Sequence, residues 1–318
     1  MDEACLPPTR ALLHELQRIN NFIWPTAAAL WNFRWQVKGF SFEAPNATSV
    51  ELNHRFTSGS GISRVDFKYF NTMSWSDQLE QLGEMALVSY IGLFEGWIVD
   101  VQDFVKIDEK AIQWPSKSVG LRKTKSGVLQ DGIVEALAKA GVGTSPQMSK
   151  IYGHLSKRKH FSPKTLDGLL TCYRYWKEVR NCMVHQSRRA SKALIDAQSI
   201  MSTLTVVNTG TKVIPNWNPM SVDDNLQISL QGVMGFAEVI LKIVVTLDVL
   251  LSSTKEAEVA FVRSWRKSFK ADRRTLPADK KKRFERLASI GAKSDFGRPA
   301  PIQDLEDLLK SHGLATRI

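Results

Sequence analysis

Cysteine is scarce in these 318 residues, and its spacing excludes several classes of protein. The three present are Cys5, Cys172 and Cys182, with no C-x-x-C pair and no Cys/His set at zinc spacing. Cys172 and Cys182 fall on one predicted helix about 15 Å apart, too far to bridge, so a disulfide scaffold is excluded and a reduced, cytoplasmic compartment is expected. No G-x-x-x-x-G-K-[ST] loop occurs, and Gly141-Val142-Gly143 follows a predicted helix rather than a strand, which argues against a nucleoside triphosphatase. No apolar leader follows the acidic opening Met1-Asp2-Glu3. The most apolar stretch, Leu226 to Leu251, is long enough to span a bilayer, but it carries Glu238, Lys242 and Asp248 and reads as a core helix with a Glu238–Lys242 pair, so no membrane partner is expected. Internal repeats and low-complexity tracts are absent.

What is present is ordinary globular composition, 43% hydrophobic and 24% charged, with a net charge of +11 that points to an anionic partner. The pattern along the chain is mainly helical. Leu12, Leu16, Ile19 and Ile23 share one stripe of a helix over residues 10–38, expected to break at Pro25, and residues 39–70 read as mostly loop. Leu79, Leu82, Ala86, Tyr90, Leu93, Trp97, Val101 and Phe104 repeat at three and four, predicting a helix from Asp77 to Lys106 capped by Ser76. Residues 114–163, rich in proline and lysine, read as an exposed insertion with a short helix near Val128–Ala140. A second long helix is predicted from Thr165 to Ser199, with Leu166, Leu169, Tyr173, Trp176 and Val179 inward, and a third from Val222 to Ser252. Between them, β-branched residues around Asn208-Thr209-Gly210 suggest a small hairpin over 203–214. The expected fold is all-α, a helical bundle with that one β excursion, divided into an N-terminal extension (1–74), a bundle (75–255) and a basic C-terminal segment (256–318) broken at Pro277, Pro299 and Pro301.

Chemistry concentrates in Arg180-Asn181-Cys182-Met183-Val184-His185. Asn181 and His185 are four apart and share a helix face, which Arg188, Arg189 and Lys192 are expected to continue. A neutral imidazole among cations suits RNA cleavage: it takes the 2′-hydroxyl proton, the 2′-oxygen attacks phosphorus, and cations hold the developing charge. No metal or cofactor is needed, and no clustered carboxylates suggest one. Arg180 stands about 140° round an ideal helix from His185, so it reaches the same site only through a distorted helix or a wrapped side chain. Glu95 is the only charge between Met85 and Val99 and should be paired, with Arg180 the candidate partner; the competing reading puts it at the helix edge in water.

The Val179–Gln186 segment resembles the signature of HEPN-domain proteins, with the Ala86–Glu95 run and the Leu230–Leu250 helix similar to that family's early and late helices. The resemblance implies a two-fold dimer whose Arg/His motifs line one cleft, metal-independent endoribonuclease activity leaving a 2′,3′-cyclic phosphate, and a toxin or anti-phage setting with an antitoxin or regulatory partner. His185 is then general base, Arg180 stabilises phosphoryl charge and Asn181 orients. The alternative is a non-catalytic module of the same fold that binds RNA, nucleotide or protein. From Arg263 to Arg298 thirteen Lys/Arg face four Asp/Glu, with Trp265, Phe269, Phe284 and Phe296 interleaved. Arg266, Lys267 and Lys281 in this tail are candidate RNA contacts and its rings candidate stacking platforms; otherwise it is a solvated helical face.

Overall fold

The computed structural model describes residues 4–106, 121–123, 129–131, 143–270 and 273–317, and the description that follows is confined to them. The fold is mainly helical, as predicted. Three long helices form its centre: α4 (Trp75–Val105), α6 (Leu166–His185) and α9 (Leu230–Ser252). The α4 stripe is buried at Ala86, Tyr90, Trp97 and Val101, and α6 buries Leu166, Leu169, Tyr173, Trp176 and Val179, as their spacing required. Helix α9 is buried almost all round, including Lys242, which donates to Ser162 Oγ, and Asp248. Two glycines permit the tightest approaches. A Cβ on Gly168 would lie 2.3 Å from Asn208 O, and one on Gly232 2.0 Å from Asn216 O, so the 203–229 segment lies directly on α6 and α9.

Helix α1 (Pro7–Glu43) packs along α4 and α9 and continues without interruption past Pro25. The proline costs only the bond to the Asn21 carbonyl, on a solvent-facing side, while Ile23 and Ala27 stay buried beneath. The expected loop over 39–70 is instead the end of α1, then α2 (Ser49–Thr57) and α3 (Phe67–Thr72). Thr48 and Glu51 form a reciprocal capping box at α2, and Phe33, Phe40, Phe56, Phe67 and Phe70 close a satellite aromatic cluster. On the other side of α1, Trp24, Trp31, Trp35 and Phe42 face out, Trp35 56% and Phe42 83% exposed.

Other boundaries also differ. Ser74, not Ser76, caps α4, in a box with Asp77. The helix predicted over 165–199 is two: α6 stops at His185 and α7 (Lys192–Met201) begins after a turn in which Ser187 and Arg188 are left-handed, with φ of 49° and 64°. The predicted hairpin is absent; Thr205–Gly210 instead forms one helical turn, α8 (Val206–Thr209), because Asn208 caps the Thr205 backbone and Gly210 closes the turn at φ 61°. Residues 222–229 precede α9 rather than belonging to it. The β structure lies elsewhere: β1 (Leu121–Lys123) pairs antiparallel with β2 (Leu129–Asp131), which replaces the start of the helix predicted at 128–140, and the remainder of that prediction lies outside the described residues.

The later part of the supposed exposed insertion is core: α5 (Pro146–Tyr152) buries Met148, Ile151 and Tyr152 completely. The C-terminal segment folds as α10 (Lys255–Ser268), β3 (Arg274–Leu276), α11 (Lys280–Gly291), α12 (Ile302–Ser311) and β4 (Ala315–Arg317), with β3 and β4 parallel. Its Trp265, Phe269 and Phe296 are buried and Phe284 packs partly buried against the core, so these rings are not platforms for bases. Among the described residues α4 is the one helix long and apolar enough to cross a bilayer, but its apolar stripe is covered by α1, α6 and α9, an arrangement compatible with a soluble protein.

The chain's start is fastened to α9. Asp248 accepts hydrogen bonds from the backbone N–H groups of Cys5 (2.6 Å) and Leu6 (3.0 Å), capping α1 from across the molecule. Burial raises its carboxyl to about 6, against the lowering pull of those bonds, of Thr9 and of Arg10. All three cysteines are free and buried.

Candidate active site

The motif is built where α6 crosses α4. Glu95 on α4 and Lys177 and Arg180 on α6 form one cluster: Glu95 Oε2 accepts from Arg180 Nη2 at 2.8 Å, and its Oε1 lies 3.1 Å from Lys177 Nζ. The predicted Glu95–Arg180 pair is therefore present. Arg180 Nη1 also donates to Asn181 Oδ1 (3.2 Å), and Asn181 Nδ2 donates to Glu178 Oε2 (3.3 Å). The cluster is half-buried, with 20% of the Arg180 side chain and 30% of that of Glu95 exposed. Such a carboxylate holds a guanidinium in one orientation.

His185 is the last residue of α6 and is exposed. The helix is regular from Arg180 to His185, so the distortion that would bring both to one point does not occur: Arg180 turns to α4 and the imidazole faces solvent. Among the described residues nothing hydrogen-bonds to its ring.

The expected cationic face beyond His185 is not formed, because the helix has ended. Arg188, left-handed in the turn, sends its guanidinium back to α4, to Glu80 (2.7 Å) and Glu84. That double pair offsets the cost of a non-glycine residue in this conformation, about 1–2 kcal/mol. Arg189 donates to Asp223 O (2.9 Å), and Lys192 opens α7 and pairs with Asp196 (2.8 Å). Arg188 is thus a structural tie rather than a free phosphate ligand. Around the motif Glu80, Glu84, Glu95 and Glu178 balance Arg174, Lys177, Arg180 and Arg188, a neutral surface where a positive one was expected. Lys177 and the Glu80/Glu84 pair were not among the predicted site residues. Lys177 stands three before Arg180 on the same face, a signal available in the sequence.

In the C-terminal segment Arg266, Lys267 and Lys281 are exposed, the first two on α10 and the third on α11. Other cations there are structural. Buried Arg283, with Lys310 and Arg317, surrounds Glu306, and although burial pushes the Glu306 carboxyl up, these cations hold it below its ordinary value. Among the described residues no three His, Cys, Asp or Glu side chains gather as a metal-binding set.

Comparison with models of known protein families, with curated proteins and with solved structures finds no match to this chain.

Proposed function

We propose that the chain is a metal-independent endoribonuclease in which His185 removes the 2′-hydroxyl proton and Arg180 steadies the phosphoryl oxygens, leaving a 2′,3′-cyclic phosphate and a 5′-hydroxyl. The observation that carries this reading is the Glu95 clamp: a half-buried carboxylate fixes the Arg180 guanidinium beside Asn181, one and a half turns before an exposed imidazole at an open helix end. The HEPN-like segment supplies the reaction type, and a toxin or anti-phage role with a silencing partner is part of the same proposal.

Because Arg180 and His185 face different ways in one chain, the proposed site is completed by a second copy. The exposed face of α1 supports self-association. Trp24, Ala28, Trp31, Trp35, Lys38 and Phe42 repeat at alternating steps of four and three, the spacing of a paired-helix seam. An antiparallel two-fold pairing centred on Phe33 sets Trp31 against Trp35, Trp24 against Phe42 and small Ala28 against long Lys38. Trp31 also packs on Trp75 (centroids 5.0 Å apart), at the same end of α4 as the Arg188 contact that follows His185.

The test is cleavage of tRNA and mRNA in EDTA by wild type, His185→Ala and Arg180→Ala. Loss of at least about 100-fold in both variants, with cyclic-phosphate ends from wild type, is expected. Equal cleavage by all three overturns the assignment. A second reading, a non-catalytic module, is favoured by one observation: the motif's cations are held by carboxylates, with Glu80 and Glu84 on Arg188. Wild type that cuts neither RNA selects it.

A further inference from the structure

A second cluster of cations lies away from the α6 motif, in a cleft of about 450 Å³ walled by three distant segments: the chain's start at Ala4 and Arg10, residues His154–Arg158, and the loop 292–300. Arg10, His154, Arg158 and Arg298 line it, and no acidic side chain does. We infer that this cleft binds a phosphorylated small molecule of mononucleotide size, with Arg158 and Arg298 as its principal phosphate ligands and Arg10 in support.

Several features argue for a formed site. The loop is pinned by two backbone bonds, Gly297 N–H to Cys5 O (2.8 Å) and Ala300 N–H to Ile151 O (3.0 Å), and by the Tyr152 hydroxyl, which donates to Gly297 O (3.1 Å). A Cβ at Gly297 would stand 2.8 Å from Ala4 O, so the close approach of loop and chain start requires glycine there. His154 Nδ1 is within reach of the Ile151 and Ala300 carbonyls (3.1 and 3.2 Å), which fixes the ring and, among the described residues, leaves Nε2 without a hydrogen-bond partner.

The nearby carboxylates are engaged elsewhere. Asp295 accepts from Ser264 Oγ (2.7 Å), and Asp248 is bound by the Cys5 and Leu6 N–H groups, though its charge still acts on Arg10. Arg10 donates once, to Asp295 O. Among the described residues the guanidiniums of Arg158 and Arg298 have no partner. Guanidiniums gathered on one cleft without acids repel one another, and their planar donor forks match phosphate oxygens. The volume is that of a small-ligand site.

Titration calorimetry on the full chain, with inorganic pyrophosphate and with ATP as probes and adenosine as control, tests this. ATP and pyrophosphate are expected to compete for one site and adenosine alone to bind far more weakly. Arg158→Ala and Arg298→Ala should each weaken binding about tenfold, with the lysine variants between, and His185→Ala should bind as wild type. Both arginines lie outside the core, and thermal melts would verify that the variants fold. No binding of either phosphate probe by wild type at millimolar concentration overturns the inference. So does undiminished binding by the Arg158→Ala/Arg298→Ala double variant, or capture of a 5′-phosphorylated RNA oligomer with neither small probe bound.

Discussion

Two groups of tryptophans divide the molecule. In the bundle, Trp97, Trp176 and Trp265 are almost wholly buried, and Trp97 donates to Thr9 Oγ1 (3.0 Å) between α4 and α1. On the distal half of α1, Trp24, Trp31 and Trp35 lie on an outward face, Trp31 edge-on to Trp75 and the other two more than half exposed. The same side chain thus fills volume in one region and presents area in the other. An apolar residue at helical spacing signals a buried face, and whether the cover comes from the same chain is a property of the partner elements and not of the helix.

The contrast can be broken most sharply by truncation. Trp97→Ala or Trp176→Ala should cost about 3–5 kcal/mol in urea unfolding, while Trp24→Ala should stay within about 0.5 kcal/mol. Comparable losses at all three sites would mean that α1 is covered after all. Next in size is Asp248. With its carboxyl raised to about 6, its contribution is full below the usual carboxylate range and declines as pH rises through 6. The stability of wild type relative to Asp248→Asn should therefore fall by about 2–3 kcal/mol between pH 4 and 7, and a flat difference would refute it. A smaller effect separates the buried rings themselves. Among the described residues the Trp176 indole N–H has no partner whereas that of Trp97 does, so Trp97→Phe should cost about 1 kcal/mol more than Trp176→Phe. Smallest in stability is Trp24→Ser/Trp35→Ser, which should leave the melt nearly unchanged yet shift sedimentation from dimer to monomer. A dimer that survives this change uses another surface.

Much of the bundle was legible. The repeat of α6 predicted its buried face, that of α4 its centre at Ala86, Tyr90, Trp97 and Val101 while Leu79, Leu82, Leu93 and Phe104 are half-buried, and the isolated Glu95 predicted its own partner. Chain breaks were less so. Gln186-Ser187-Arg188 contains neither glycine nor proline, and the helix ends there because Arg188 finds Glu80 and Glu84, more than a hundred residues away. Pro25 misled in the opposite sense, since its lost bond faces water. The expected hairpin failed because β-branched propensity is weaker than a side-chain cap at Thr205 and Asn208. The neutral surroundings of the motif were hidden for the same reason as the helix end: the balancing carboxylates lie on another helix.

The bond from Cys5 to Asp248 spans 243 residues, and Gly297 closes on Cys5 later still. At about 5–20 residues per second, a ribosome needs roughly 10–50 s to make the cap after it has made the helix. During that interval the start of α1 has unpaired N–H groups, and its inward face waits for α4 and then α9. Helix α1 is therefore fastened only after α9 has been made, although its own residues are made well before those of α4.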